Sequence, residues 1–272
     1  MPFDFSEAND QQKIAISTTE GPLLIIAGPG TGKTYTLVQR IVYLITEKDV
    51  KPEEIMVATF TEKAAKELIT RITNELYELG ISININEMYI GTFHSICLRI
   101  LKNNLEYTSI KKNYRMLDKF DQQYMVFQNI SSFRKLPYFG YVFERTIGAW
   151  RQAGSIVTFI NNLTEELVDI EMMKKDSDVQ IIGIANILEH YNKIVEEENL
   201  IDFSRIQTET YNLLKDNDEI LKTIQNIIFQ LWRIRHNFKY SEFQKDSVIK
   251  KFLITDDDEK TYNTNHYLFE RV

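Results

Sequence analysis

The chain has a single cysteine, Cys97, in 272 residues. This excludes an internal disulfide and any metal cluster built on cysteine, and fits a reducing compartment. No apolar run approaches the ~18 residues of a membrane span. The polar, acidic start from Met1 to Asp10 lacks the basic-then-apolar order of an export signal. A soluble, cytoplasmic protein with no membrane partner is the resulting expectation. Positive charge is scarce as well. A formal net charge of −7 excludes nucleic-acid binding through overall basicity, although a local basic groove remains compatible with it. There is no internal repeat and no low-complexity linker to mark a boundary. With 43% apolar residues, a chain of this length buries a real core in one or two domains.

Between the apolar run Leu23 to Ile26 and a helical pattern from Tyr35 lies Ala27-Gly28-Pro29-Gly30-Thr31-Gly32-Lys33-Thr34. Glycines at this spacing let the backbone curl so that successive N–H groups point at phosphate oxygens, and the following helix offers its positive end. Lys33 adds a mobile charge, and Thr34 is placed to hold a magnesium ion. Ala27 stands where the motif has glycine, a small change if Gly28 and Gly30 supply the permissive torsions. A plain Gly-rich turn would account for the glycines and leave Lys33 and Thr34 unexplained.

Apolar runs at Leu23 to Ala27, Ile55 to Phe60 and Met88 to Phe93 read as short buried strands, each followed by a helical pattern. This is the alternation of an α/β parallel sheet. One helix buries Leu37, Ile41, Leu44 and Ile45. The next buries Ala65, Leu68, Ile69, Ile72, Leu76 and Leu79, and closes near Gly80. From about Lys111 helical patterns take over, clearest at Ile181, Ile184, Leu188, Tyr191 and Val195. The expected organisation is a sheet domain over residues 1–110 and 200–272, interrupted by an all-helical insertion over 111–199.

A phosphate loop alone is shared by kinases, GTPases, transporters and helicases. Three more segments narrow the reading. Gln12, in Asn9 to Ala15, carries an amide able to donate to and accept from the edge of adenine. Ala58 to Ala65 and Gly91 to Ser95 each join a strand end to a helix start. Strand C-termini share one edge of a parallel sheet, where ligands bind. Phe60 beside Thr59, Thr61 and Lys63 offers a stacking face, hydroxyls and a cation, the parts a single-stranded nucleic acid needs.

In this order of segments the chain resembles the UvrD/Rep-like (superfamily 1A) DNA helicases over about residues 5 to 205. The Gln12 segment resembles their adenine-reading Q motif and Ala27 to Thr34 their motif I. Thr59 to Ala65 and Gly91 to Ser95 look like the Ia and Ib segments that contact single-stranded DNA. Leu200-Ile201-Asp202-Phe203 resembles the signature where the family's chain returns from its helical insertion. The resemblance implies a RecA-like P-loop domain with a helical subdomain, ATP and Mg2+ as cofactors, and single-stranded DNA as partner. Gln12, Gly28, Pro29, Gly30, Thr31, Gly32, Lys33 and Thr34 would bind ATP. Thr59, Phe60, Thr61, Lys63, Thr92, His94 and Arg99 would bind DNA.

The family's motif II, an apolar strand ending in Asp-Glu, has no clear counterpart. Tyr240 to Lys245 keeps a Glu-Phe-Gln core at Glu242, a candidate catalytic carboxylate, but has Ser241 where the metal carboxylate belongs. Thr255 to Tyr262 resembles motif III or is a surface acid cluster. Tyr35 stands where many relatives have a basic residue. No second motor domain is expected, so the chain alone is expected to hydrolyse ATP weakly or not at all. A missing second half and helicase or repair partners stay open, as does oligomeric state. Two rival readings are a catalytically silent nucleotide-binding module and another P-loop ATPase or kinase. Among single residues, Phe60 and Phe93 could stack on DNA or fill the core, and His94 could touch DNA or cap its helix. Asp202 is expected as an N-cap, Trp150 and Trp232 as packing residues, and Cys97 as buried and inert.

Overall fold

The computed structural model describes residues 3–19, 23–28, 30–231 and 269–271. The protein is mixed α/β with short parallel sheets. It divides into two compact units. Among the described residues, the first holds those up to Ile96 and those from Asn217 onward, and the second holds Cys97–Asp216.

The first unit runs α1 (Asp10–Ser17), β1 (Leu24–Ile26), α2 (Lys33–Glu47), β2 (Ile55–Thr59), α3 (Glu62–Glu78) and β3 (Tyr89–Thr92). Helix α4 (Phe93–Asn103) starts in this unit and continues into the second. The strands fall where apolar runs predicted them, each trimmed by a residue or two. β2 is buried along its whole length, as a strand covered on both faces requires. It pairs in parallel with β3, in a register that sets Ala58 beside Gly91 and Thr59 beside Thr92. On its other side it pairs in parallel with β6 (Ile228–Leu231).

The core of this unit gathers the one-sided apolar positions of α2 and α3 against β2: Leu37, Val38, Ile41, Leu68, Ile72 and Leu76 meet Ile55 and Val57. Leu79, expected on the buried face of α3, is exposed. The helix ends at Glu78, and Leu79 is its C-cap, before Gly80 at φ +70°. The chain reverses there, with Ile81 N–H donating to the Leu76 carbonyl at 2.8 Å.

The described part of the second unit contains β4 (Arg115–Met116), α5 (Lys119–Gln128), α6 (Ile130–Phe133), α7 (Phe139–Val142), α8 (Ala149–Glu165), α9 (Ile170–Met173), α10 (Val179–Glu197), β5 (Leu200–Ile201) and α11 (Phe203–Asp216). Its core joins Met125, Val126, Ile156, Ile160, Leu188 and Tyr191 with their neighbours. Leu200–Ile201 is a strand, and it pairs in parallel with Arg115–Met116 rather than with β2 or β3. That two-residue ladder ties the beginning of the helical segment to its end. Arg115 N–H donates to Asn199 at 3.0 Å and Leu117 N–H to Ile201 at 2.8 Å.

A buried polar network holds the same unit. Gln122 Nε2 donates to Asn161 and to the Tyr191 hydroxyl, both at 2.7 Å, and the Tyr191 hydroxyl donates to Asp202. Asp202 also accepts from Arg205 N–H at 2.8 Å, the N-cap that its position before α11 predicted. Cys97 is buried, and desolvation pushes its thiol up to about 12, which keeps it protonated and inert. Trp150 departs from the packing role assigned to it. It is 41% exposed and lies against Phe120 and Phe127 at the surface.

Candidate functional site

The Gly28–Thr34 segment, the expected phosphate loop, connects β1 to α2. Gly30 and Gly32 take left-handed torsions, φ +75° and +82°, which L side chains rarely adopt. The permissive torsions thus sit at Gly30 and Gly32, not at Gly28, which contributes its carbonyl instead. The Thr31 hydroxyl donates to that carbonyl at 2.9 Å, and the Lys33 ammonium donates to it as well. Pro29 lies outside the described residues. Lys33 and Thr34 open α2, so both side chains project at the helix N-terminus, where unpaired N–H groups and the macrodipole favour an anion.

Gln12 lies against this loop. It is buried on α1, and its Nε2 donates to the Thr31 carbonyl at 3.1 Å. Its Oε1 accepts from Asn9 N–H at 3.0 Å, while the Asn9 side chain accepts from Gln12 N–H at 2.9 Å, a reciprocal capping box that fixes the side chain. A Cβ on residue 32 would come within 2.7 Å of Gln12 Nε2 and displace the end of that side chain, while the torsion alone already requires glycine there.

Arg40, one face of α2 further on, locks the other end of α1. Its guanidinium donates to Ala15 O at 2.6 Å and to the Thr18 carbonyl. Burial lowers its pKa from the ordinary arginine value. A buried cation at a helix C-terminus satisfies carbonyls that would otherwise lie unpaired. This residue escaped the sequence reading, because an arginine within an amphipathic helix looks like a solvated one.

At the ends of β2 and β3, the register brings the second and third loops together. Thr59 is only 5% exposed, and its hydroxyl donates to Thr61 O at 3.1 Å and Gly91 O at 3.3 Å, clamping one loop to the other. Phe60, the next residue, is 62% exposed and lies outside the core. Thr61 caps α3, accepting from Ala64 N–H at 3.1 Å. Thr92 donates to the Glu62 carboxylate at 3.0 Å and accepts from Ser95 N–H at 3.2 Å. Lys63 is exposed, and Phe93 and His94 are half-buried on the first turn of α4. Arg99 falls in the second unit.

Among the described residues, β1, which precedes the Gly28–Thr34 segment, is not in this sheet. It pairs with β7 (Phe269–Arg271), so among these residues the β2–β3 ladder joins the second and third loops and does not include the first. Glu242 and the segments 240–245 and 255–262 lie outside the described residues, as does Trp232.

Among the described residues, no group of His, Cys, Asp and Glu is built to cage a metal ion, and no helix is long and apolar enough to cross a membrane. A cage is not needed for magnesium, which is commonly held by one or two protein oxygens together with phosphates. A groove of about 940 Å3 in the second unit, lined by Leu136, Ile170, His190, Lys193 and Glu196 among others, contains none of the predicted site residues.

A family model described as UvrD/REP helicase N-terminal domain matches residues 8–231. The ATP-dependent DNA helicase PcrA of Staphylococcus epidermidis is 35% identical over 224 residues, covering 80% of this chain and 28% of that protein. PcrA of Staphylococcus aureus is 33% identical over the same shares. The chain therefore spans 28% of the length of the curated relatives it matches.

Proposed function

The chain belongs to the UvrD/REP helicase N-terminal domain family, and on that premise we propose that it binds Mg-ATP at the Gly28–Thr34 loop and single-stranded DNA at the ends of β2 and β3. The observation that carries the reading is the linkage of Gln12 to Thr31 beside two left-handed glycines. It sets a side chain able to read a base against a backbone shaped for phosphates.

In this reading Gly30 and Gly32 turn their N–H groups toward the phosphates. Lys33 exchanges its bond to the Gly28 carbonyl for a phosphate oxygen, and Thr34 supplies an oxygen to magnesium. Gln12 keeps a second N–H and a second lone pair for the adenine edge. Bound Mg-ATP supplies a γ-phosphoryl group for transfer to water. Phe60 offers a ring to an unpaired base, while Lys63, Thr61, Thr92 and His94 supply polar contacts nearby and Thr59 holds the two loops in register.

The fold reading that goes with this is a RecA-like sheet over residues 1–110 and 200–272 with a helical insertion over 111–199, acting in the cytoplasm. The matched relatives are named ATP-dependent DNA helicases. From that name the reading takes DNA as the polymer and ATP as the fuel. Titration calorimetry with Mg-ATP tests it. Saturable heat that Lys33→Ala abolishes supports the site, and absence of heat at millimolar ATP from folded protein removes it. An ATPase rate that rises with single-stranded DNA separates a helicase-type domain from a silent nucleotide-binding module.

A further inference from the structure

Helix α5 is apolar on two opposite sides. Met125 and Val126 face the core of the second unit. Phe120, Tyr124 and Phe127, at helical spacing i, i+4 and i+7, fall on the other side. There they are 64%, 45% and 36% exposed. Trp150, in the first turn of α8, completes the row, its ring centroid 5.6 Å from Phe120 and 5.5 Å from Phe127. Phe120 and Tyr124 lie nearly parallel, 5° between planes at 6.3 Å, and Tyr124 and Phe127 follow at 6.4 Å. Gln123 Nε2 donates to the Trp150 carbonyl at 3.0 Å, which fixes the start of α8 against α5. A solvated helix face is normally polar, so a continuous row of large rings marks an interaction surface.

The charges beside the row indicate what covers it. Lys119 and Arg151 adjoin Phe120 and Trp150 in sequence, and both are exposed. Among the described residues neither is engaged in an ion pair. Residues 111–121 hold four basic and two acidic side chains within a chain of net charge −7. One of those acids, Asp118, is occupied in capping α5. The other, Asp121, adjoins Phe120 on its far side in sequence. Flat apolar faces beside exposed cations that form no ion pair match the two halves of a nucleotide, base and phosphate.

We propose that this face of α5 and α8 is a second binding surface for single-stranded nucleic acid, stacking unpaired bases on Phe120, Tyr124, Phe127 and Trp150 while Lys119 and Arg151 meet the backbone. It rests on the reading of the chain as a DNA-dependent domain. It adds a surface outside the Thr59–Ala65 and Gly91–Ser95 segments, built on different elements.

The chain has two tryptophans, so Trp232→Phe leaves Trp150 as the sole tryptophan, excited selectively at wavelengths where tyrosine does not absorb. In that background a labelled oligothymidylate of about ten nucleotides is titrated, following both Trp150 emission and the anisotropy of the oligonucleotide. Saturable quenching is expected and persists when Phe60→Ala is added. Phe120→Ala combined with Tyr124→Ala weakens it about tenfold, as does Lys119→Glu, with the thermal melt unchanged because these side chains are exposed. Oligonucleotide binding seen by anisotropy with flat Trp150 emission overturns this surface while leaving the Phe60 site intact. So does quenching that the α5 variants do not alter. Absence of binding by both probes in every variant removes the DNA reading as a whole.

Discussion

Gln12 and Thr31 are joined side chain to backbone at 3.1 Å, so helix α1 braces the loop between β1 and α2. In the proposed reading the same side chain would read a base beside a loop that would hold phosphates. The Gln12 amide is fixed at both ends, because its oxygen accepts from Asn9 N–H. A nucleotide bound as proposed would meet a preset side chain rather than one that must be ordered on binding, which lowers the entropic cost of recognition.

This dual role gives a test with two ligands. Gln12→Ala removes the brace and the base-reading group together, and ATP affinity is expected to fall about tenfold, roughly 1.4 kcal/mol. Inorganic tripolyphosphate, which has no base, is expected to lose a smaller factor, reporting the brace alone. Calorimetry with both ligands checks it. An unchanged ATP affinity would detach Gln12 from the site, and equal losses would assign it to bracing only.

Phe60 is 62% exposed while Thr59 beside it is buried and doubly bonded. Phe60→Ala is expected to weaken oligonucleotide binding by about 1–3 kcal/mol, the range for one stacked base, without lowering the unfolding midpoint. Thr59→Val should do the reverse, since it removes the clamp between the loops and leaves the ring in place. Anisotropy and urea unfolding on both variants read the difference. A Phe60→Ala protein with full affinity and reduced stability would return the ring to a structural role.

The strands β2 and β3 were legible because short apolar runs closed by turn residues carry their signal locally, and the left-handed turn at Gly30 and Gly32 because its glycines are contiguous with the helix start at Lys33. What escaped is held by partners far apart in sequence. Arg40 finds carbonyls of α1, Gln122 finds Asn161 and Tyr191, and the ladder of Arg115–Met116 with Leu200–Ile201 spans the whole helical segment. None of these has a periodicity of its own. Trp150 differs from the packing role its residue type suggests, since nothing in its local pattern separates a buried ring from one set in a surface row.

His190 gives stability a pH dependence of known sign. Its Nε2 lies 2.8 Å from the Ser132 hydroxyl, and its ring meets Phe133 edge-on. Burial lowers its pKa, Lys193 lowers it further, and Glu197 opposes them. The folded state thus favours the neutral ring, and the unfolded chain takes up the proton first, below the ordinary value of about 6.5. The contribution is complete above that value and is lost as pH falls through it toward the folded pKa. His190→Gln keeps a polar partner for Ser132 and does not titrate, so its urea midpoint should fall less than that of the parent between about pH 7.5 and 5.5. Identical slopes for the two proteins would contradict the assignment.

Asp202 serves two partners at once. One carboxylate oxygen caps α11 through Arg205 N–H, and the other accepts from the Tyr191 hydroxyl and, at 3.3 Å, from Gln122 Nε2. Burial and this neighbouring carboxylate raise the Tyr191 pKa, so the phenol stays protonated and donates. Asp202→Ala removes the cap and leaves buried donors without an acceptor, and is expected to cost about 3 kcal/mol. Asp202→Asn keeps an oxygen for the cap and should cost about 1 kcal/mol. In Tyr191→Phe the donor that Asp202 answers is gone, so Asp202→Ala should cost measurably less there than in the parent, a coupling that a double-mutant cycle reads directly. Equal costs in the two backgrounds would show that cap and network act independently and that Asp202 is only an N-cap.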